Sequence, residues 1–268
     1  MTQPSPARHN VLGVGVSAVD YELAVECLLG AARSQTPFAG SALAVHAIME
    51  ARADESYRRR LNALDLATPD GQPVRWALNG LYGLGLRDRV YGPFLMQRLC
   101  TRAALEGLPV FLFGGTDDLL GRLSAALRRD YPGLAIAGMQ ASRFRRITSE
   151  EAAGDAARIQ ASGARLVFCG LGCPRQEAWV QAMRPLIRAP LLGGGAAFAL
   201  AAGDRPMAPA WMQRRGLEWL FRLSQEPGRL SGRYLVRSPA FPFLVLRQRL
   251  GGAVPGCDPT ETSPEYWG

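Results

Sequence analysis

The stretch Pro109-Val110-Phe111-Leu112-Phe113-Gly114-Gly115-Thr116-Asp117 decides the fold that the sequence predicts. Its first five residues form a short apolar run typical of a buried strand, and the glycine pair then turns the chain. Thr116 and Asp117 offer an N-cap for an amphipathic helix that we expect to continue to Asp130. A strand, a tight turn and a helix in this order are the repeating unit of a parallel sheet.

The same alternation runs along most of the chain. Further strands are expected at residues 11–16, 39–45, 134–137, 165–170 and 190–192. Further helices are expected at residues 20–33, 46–64, 93–106, 149–161 and 174–188. Strands that alternate with helices of this length predict an α/β fold, in which helices cover both faces of a mostly parallel sheet.

The composition of the chain changes after about residue 203. Between residues 205 and 249 there are nine arginines and two glutamates, with large apolar side chains among them. We therefore expect an α/β domain over residues 1–203 and a basic, aromatic-rich helical appendage with a loose tail over residues 204–268. Such a segment suits an anionic membrane surface better than nucleic acid, because no helix-turn-helix or RNA-binding sheet motif appears. A solvated basic face is the alternative.

The composition also excludes several classes of protein. All 31 basic residues are arginines, so the chain has no lysine for a P-loop, a Schiff base or a cofactor linkage. The five cysteines and two histidines have no zinc-site spacing, and there is no D-x-D motif, so no metal site is predicted. The N-terminus does not resemble a signal peptide, and no apolar run reaches the ~20 residues of a membrane span. A reduced, cytoplasmic setting is expected.

The stretch Thr68-Pro69-Asp70-Gly71-Gln72-Pro73 places a carboxylate in a turn, where enzymes often keep a general base. The alternative is that Asp70 caps the helix that begins near Gln72. Arg89 precedes a helix and suits a phosphate, although a solvated arginine is the other interpretation. His46 follows a strand end and faces either a pocket or a structural partner at the helix N-terminus.

Three glycine-containing turns are candidate ligand sites. Gly170-Leu171-Gly172-Cys173-Pro174 precedes a helix whose first turn holds Arg175 and Gln176, an arrangement suited to a diphosphate. Gly193-Gly194-Gly195 and Gly114-Gly115 would let a ligand approach the backbone closely. Ordinary strand-to-helix turns are the alternative in each case.

A fourth glycine motif runs from Gly13 to Ala18 and fits the dinucleotide fingerprint. It lacks both a full preceding strand and the expected acidic residue, so two glycines in a tight first strand are the preferred interpretation.

In their order and spacing, these motifs resemble those of the WecG/TagA/CpsF family of bacterial glycosyltransferases over residues 11–243. The motifs that carry the resemblance are Thr68-Pro69-Asp70-Gly71, Arg89-Val90-Tyr91-Gly92-Pro93, Tyr131-Pro132-Gly133, Gly172-Cys173-Pro174-Arg175-Gln176-Glu177, Ala208-Pro209-Ala210-Trp211 and Gly216-Leu217-Glu218-Trp219.

The resemblance implies a Rossmann-like catalytic domain that moves a sugar from a UDP-sugar to a polyprenyl-diphosphate-linked acceptor, with inversion and without a divalent metal or other cofactor. The product would be a cell-surface polysaccharide: an exopolysaccharide, a teichoic-acid-type or a common-antigen-type polymer. It also implies a peripheral protein on the inner face of the cytoplasmic membrane, which the C-terminal appendage touches. Nucleic acid is not an expected partner, and a homo-oligomer is left open.

The resemblance assigns roles to individual positions. Asp70 matches the proposed base, Arg89 and Gln176 match active-site residues, and Arg222 matches a position suggested to hold the diphosphate. The remaining expected substrate-binding residues are His46, Gly71, Gly114, Gly172, Arg175, Gly194, Gly195 and Glu218.

The chain also departs from the family pattern. Ala42 and Ala44 replace the Thr-x-Asn of many members, which leaves the donor sugar open. The alternatives are a non-catalytic scaffold of a polysaccharide assembly and a nucleotide-sugar dehydrogenase or epimerase.

Overall fold

The chain begins with a hairpin, where the sequence predicted a single strand at residues 11–16. The structure, a computed structural model, describes residues 6–232, 238–259 and 263–268, without the side chain of Arg229. Strands β1 (Arg8–Val11) and β2 (Val14–Ser17) pair antiparallel outside the main sheet.

The prediction of one strand was wrong because the chain reverses at Leu12 and Gly13. Both residues have positive φ angles, 55° and 95°, as a two-residue hairpin turn requires. Gly13 therefore belongs to a hairpin turn, and the strand-to-helix turn that a dinucleotide fingerprint needs is not formed here.

Six parallel strands form the main sheet of the described chain. They are β3 (Phe38–Leu43), β4 (Leu66–Pro69), β5 (Val110–Phe113), β6 (Ile136–Gln140), β7 (Leu166–Cys169) and β8 (Pro190–Gly193). Their order across the sheet is β4-β3-β8-β7-β5-β6, and every pairing is parallel. The sequence did not predict β4; its Pro69, which has no N–H to donate, is tolerated at the end of an edge strand.

Helices cover both faces of this sheet, which confirms the predicted α/β, Rossmann-like class. They are α1 (Tyr21–Ser34), α2 (Val45–Ala53), α3 (Glu55–Asn62), α4 (Gln72–Tyr82), α5 (Gly92–Glu106), α6 (Asp117–Asp130), α7 (Ser149–Ala161), α8 (Arg175–Met183) and α9 (Gly195–Ala201). Helices α2, α3, α4, α7 and α8 bury their apolar side chains in one core cluster, and α1, α5, α6 and α9 bury theirs in the other.

Local capping explains where several of these helices begin. The side chains of Asp20 and Thr116 accept hydrogen bonds from the backbone N–H groups of Leu23 and Leu119, which are third in their helices. The single helix predicted for residues 46–64 is divided at Asp54. Asp54 ends α2 in an extended conformation, and its carboxylate caps α3 by accepting from Tyr57 N at 3.1 Å.

The C-terminal segment folds back over the carboxyl ends of the strands. Its helices are α10 (Ala210–Arg214), α11 (Glu218–Gln225), α12 (Pro227–Ser231) and α13 (Ala240–Arg249). Phe241 of α13 is buried in the core cluster that contains α4. Arg233 and Arg237, two arginines of the predicted basic segment, lie outside the described residues.

The tail at residues 263–268, which was expected to be loose, lies against the α/β part of the chain. Glu265 pairs with Arg60 at 2.9 Å, and the hydroxyl of Ser142 donates to the carbonyl of Gly268 at 2.7 Å. The guanidinium groups of Arg146 and Arg175 both contact the ring of Trp267, 5.4 and 5.1 Å from its centre. Within the described part of the chain, no helix has the length and apolar character needed to cross a lipid bilayer.

Close packing at the end of β7 gives a first prediction. A Cβ added at Gly170 would lie 2.4 Å from Cδ2 of Phe198, so Gly170→Ala should lower the free energy of unfolding by about 1–3 kcal/mol. Gly154 in α7 is the matched control, because a Cβ there meets nothing within 4 Å. Gly154→Ala should raise the stability by roughly 0.5–1 kcal/mol. Urea unfolding of both variants checks this, and equal stabilities would contradict it.

Candidate active site

The carboxyl edge of the sheet gathers most of the candidate residues. Asp70 follows β4, Gly114 follows β5, Gly172 follows β7 and Gly194 follows β8. The chain leaves β3 toward helices on one face and leaves β8 toward α9 on the other face. Because β3 and β8 are neighbours, they form a switch point of the sheet, and open α/β sheets commonly bind ligands at such a point.

A cleft of about 470 Å³ opens beside the end of β4. Its charged side chains are Asp70, Arg89, Glu218 and Arg222. Gly71, Gln72, Ser238 and backbone or apolar groups complete it, and its apolar wall includes Val45, Pro73, Trp219, Phe241 and Pro242. The cleft is therefore built from the α/β part of the chain on one side and from α11 and α13 on the other.

Asp70 lies in this cleft and does not cap a helix. The N-cap of α4 is Gly71, and it makes no side-chain capping bond. The backbone N–H of Asp70 donates to Leu43 O at 3.1 Å, which ties its turn to the end of β3. Burial raises the pKa of the Asp70 carboxyl to about 6, with a further increase from Glu218, although Arg89 and Arg222 act in the opposite direction. A carboxylate with this pKa can accept a proton near neutral pH.

A buried ion-pair network stands beside Asp70. Glu218 accepts a hydrogen bond from Arg89 Nη2 at 2.5 Å through Oε2, and its Oε1 forms an ion pair with Arg222 Nη2 at 2.8 Å. Arg222 Nη2 also donates to the hydroxyl of Tyr91 at 2.5 Å. The guanidinium of Arg89 lies over the ring of Tyr91, 4.4 Å from its centre.

The charges in this network are complementary. Burial opposes the ionisation of Glu218, but Arg222 and Arg89 outweigh it and hold the pKa of Glu218 below its usual value. Burial likewise opposes the charge of Arg89, whereas Glu218 and Asp70 raise the pKa of that guanidinium above its usual value. The cleft thus holds two cationic groups that suit phosphate oxygens, next to a carboxyl group able to act as a base.

Gln176 joins two of the glycine turns behind the cleft. Its Oε1 accepts from Gly195 N at 2.8 Å, and its Nε2 donates to Glu177 Oε1 at 2.8 Å. A Cβ added at Gly195 would lie 2.8 Å from Gly172 Cα, so only glycine permits the two turns to approach this closely. Gln176 is buried and is not among the residues that line the cleft of Asp70.

Sequence reasoning missed a second buried carboxyl group. Glu177 accepts hydrogen bonds from Ser41 Oγ at 3.0 Å and Tyr57 OH at 3.2 Å, in addition to the one from Gln176. Burial raises the pKa of Glu177 above its usual value, and these three donors lower it in part. Through these hydrogen bonds the carboxylate of Glu177 connects α8 to β3 and α3, near the edge of the sheet where the strands end. The motif that carries the family resemblance includes Glu177, and this was the only signal for it.

Six expected substrate-binding residues do not line the cleft of Asp70: His46, Gly114, Gly172, Arg175, Gly194 and Gly195. His46 is next to Val45, which lines the cleft, but is not itself among the lining residues. The guanidinium of Arg175 stacks on Trp267. Gly114 packs against another turn, because a Cβ there would lie 3.0 Å from the carbonyl carbon of Gly170.

Among the residues that the structure describes, no three His, Cys, Asp or Glu side chains come together in a way that could hold a metal ion.

The raised pKa of Asp70 predicts a stability effect with a definite sign. Between the unfolded value of 3.8 and the folded value of about 6, the folded protein binds a proton that the unfolded chain has lost. The free energy of unfolding should therefore fall as the pH rises through this window.

Asp70→Asn removes the charge, so it should be more stable than the wild type above pH ~6 by about 1–3 kcal/mol, since one pKa unit corresponds to about 1.4 kcal/mol. The difference should shrink toward zero as the pH falls below ~4. Thermal or urea unfolding across this range checks it, and a difference that does not depend on pH would contradict it.

One comparison with known proteins bears on this site. The family model described as "Glycosyl transferase WecG/TagA/CpsF family" matches residues 9–254, nearly the whole chain. The matched region includes the cleft, the glycine turns and α10 to α13. It also includes the motifs around Asp70, Arg89, Gln176 and Glu218. The chain therefore belongs to the WecG/TagA/CpsF family of glycosyltransferases and is an enzyme that transfers sugars.

Proposed function

We propose that the enzyme transfers a sugar from a UDP-sugar to a saccharide linked to polyprenyl diphosphate, with inversion and without a metal ion. The product would be part of a cell-surface polysaccharide: an exopolysaccharide, a teichoic-acid-type or a common-antigen-type polymer. The observation that carries this proposal is a carboxyl group with a pKa of about 6 in a cleft beside two arginines, Arg89 and Arg222.

The proposed chemistry is a single displacement. The ionised carboxylate of Asp70 accepts the proton of the acceptor hydroxyl, and the acceptor oxygen forms a bond to the anomeric carbon of the donor sugar. The bond between that carbon and the diphosphate oxygen breaks on the opposite side, so UDP leaves with the bonding electrons and the anomeric configuration inverts. Asp70 then releases its proton to solvent, which restores the base.

The arginines provide the electrostatic part of the reaction. Negative charge grows on the diphosphate as UDP leaves, and fixed guanidinium groups in a partly enclosed cleft offset it more strongly than water would. Arg89 is buried and Arg222 is partly buried, so both charges act through little solvent. A guanidinium group can also donate two parallel hydrogen bonds to a pair of phosphate oxygens. Such a contact fixes the direction in which the diphosphate leaves.

The apolar side of the cleft supports a lipid-linked acceptor. Phe241 and Pro242 line the cleft, and they begin the same helix whose outer face exposes Phe243 and Leu246, with 69% and 53% of these residues exposed. The last turn of α13 carries Arg247 and Arg249. A helix with exposed apolar side chains and arginines suits the surface of an anionic membrane.

The proposed location is accordingly the inner face of the cytoplasmic membrane, where a soluble nucleotide sugar and a lipid carrier meet.

The donor sugar is left open. Ala44 lines the cleft and Ala42 lies nearby in β3, where many family members have polar residues.

The assignment of Asp70 predicts a loss of transfer without a loss of donor binding. Asp70→Asn should reduce kcat at least about a hundredfold, because proton transfer by a positioned base contributes roughly 10²–10⁴-fold. Calorimetry with UDP should give a dissociation constant close to that of the wild type, with and without EDTA. Asp117→Asn is the control, since that carboxylate also follows a strand-to-helix turn but lies outside the cleft.

Full residual transfer by Asp70→Asn would remove the base assignment. The absence of UDP binding by the wild-type protein in detergent would instead favour a non-catalytic scaffold of a polysaccharide assembly.

The membrane proposal predicts a second loss. The double variant Phe243→Ser, Leu246→Ser should bind vesicles containing phosphatidylglycerol at least tenfold more weakly, because each buried apolar side chain contributes about 1.5–3 kcal/mol. Leu105→Ser is the matched control: Leu105 is 78% exposed but lies on α5. Co-sedimentation with vesicles measures the effect. Equal binding of the wild type and the double variant would rule out α13 as the contact surface.

A further inference from the structure

Glu218 stands at the centre of the charged groups of the cleft, yet no step of the proposed reaction uses it. Only 7% of the residue is exposed. Both of its carboxylate oxygens are engaged, Oε2 by Arg89 at 2.5 Å and Oε1 by Arg222 at 2.8 Å. The sequence predicted that Glu218 binds substrate, but these contacts orient its charge toward the arginines.

Glu218 also connects two distant parts of the chain. Arg89 precedes α5 in the α/β part, whereas Glu218 and Arg222 lie on adjacent turns of α11. Arg89 is further held by the ring of Tyr91 and by Gln213 Oε1, which accepts from Nη2 at 3.4 Å. Both arginine side chains are therefore fixed in direction before any substrate binds, which is how an active site gains from electrostatic preorganisation.

Glu218 also sets the balance of charge around Asp70. The groups that face or influence the Asp70 carboxyl are Arg89 and Tyr91 from the segment before α5, the backbone of Gly92 in α5, Glu218 and Arg222 from α11, and Tyr21 from α1. Without Glu218, the guanidinium groups of Arg89 and Arg222 would act on the carboxylate of Asp70 with no second carboxylate to offset them. They would stabilise its charged form and make it a weaker base.

We propose that Glu218 is a positioning residue, which directs Arg89 and Arg222 toward the leaving diphosphate and prevents them from weakening Asp70 as a base. The inference rests on the proposed function, since it assigns Asp70 the role of base and the arginines that of diphosphate ligands. It replaces the expectation that Glu218 itself binds substrate.

The pH dependence of transfer tests this directly. Glu218→Gln keeps the shape of the side chain and removes its charge, so the acid limb of kcat/KM, which reports the free enzyme, should move to lower pH by about half a unit or more. At pH 8 the kcat of Glu218→Gln should be at least tenfold lower than that of the wild type. This factor should be larger than the factor by which KM increases. A residue that merely binds substrate would raise KM and leave the acid limb in place, and that result would overturn the proposal.

Two further variants separate charge from position. Glu226→Gln is the matched control, because Glu226 also pairs with an arginine of the C-terminal segment, Arg205 at 2.7 Å, but does not line the cleft. It should leave the acid limb and kcat unchanged. Glu218→Asp keeps the charge but cannot reach both arginines, so it should lower kcat without moving the limb. This variant also tests the proposal if Glu218→Gln does not fold, and a wild-type kcat for it would overturn the proposal.

A measurement without substrate distinguishes failure of this inference from failure of the proposed function. The pH window in which Asp70→Asn stabilises the protein reports the titration of Asp70. When both parent and variant also carry Glu218→Gln, the midpoint of this window should shift to lower pH. An unchanged midpoint would overturn the role of Glu218 whether or not the enzyme transfers sugar. A shifted midpoint in a protein that binds no UDP would retain the effect of Glu218 on Asp70, while the proposed function and the role of Glu218 toward the diphosphate would both fail.

Discussion

The chemistry of the cleft depends on the partial burial of Asp70 beside the ion pairs of Glu218 with Arg89 and Arg222. Removal from water disfavours the charge of Asp70, while the neighbouring guanidinium groups favour it, and the balance leaves the pKa of this carboxyl near 6. Buried ion pairs add little net stability, because desolvation offsets much of their attraction. Their contribution here is geometric: they hold three charged side chains in one arrangement next to Asp70.

The parallel sheet makes this arrangement possible. Because the carboxyl ends of all six strands meet at one edge, residues from separate turns converge there without long loops. The turns are bound to one another by Gln176 and Glu177, whose hydrogen bonds reach Gly195, Ser41 and Tyr57. These hydrogen bonds hold the backbone of the turns in place, as a site that must place two substrates within bonding distance requires.

The C-terminal segment contributes to both the chemistry and the surface of the protein. Helix α11 supplies Glu218 and Arg222 to the cleft, and α13 supplies one apolar wall through Phe241 while exposing Phe243 on its outer side. A glycosyltransferase with a lipid-linked acceptor would need such an arrangement, because the lipid must stay in an apolar environment while its sugar reaches the base. The same helices that close the cleft would then also contact the membrane.

The sequence by itself determined the alternation of strands and helices, the cap at Thr116, the absence of lysine chemistry and the family. These features depend on residues that are close together in the chain, or on motifs that can be identified without knowing which residues touch in the folded protein. It predicted wrongly where local signals were ambiguous. The strand predicted at residues 11–16 is instead part of a hairpin, because Gly13 supplies a positive φ angle. The helix predicted at residues 46–64 is divided at Asp54.

Only the tertiary structure decided which candidates share the cleft. Asp70, Arg89, Glu218 and Arg222 lie together, whereas His46, Arg175 and Gly114 lie elsewhere along the same edge. Arg89 and Glu218 are 129 residues apart in the chain, and no local pattern indicates that they pair. Such a contact exists because α11 and the turn after β4 line the same cleft. The pKa of Asp70 depends on this packing, since both the burial and the neighbouring charges arise only when the distant segments meet.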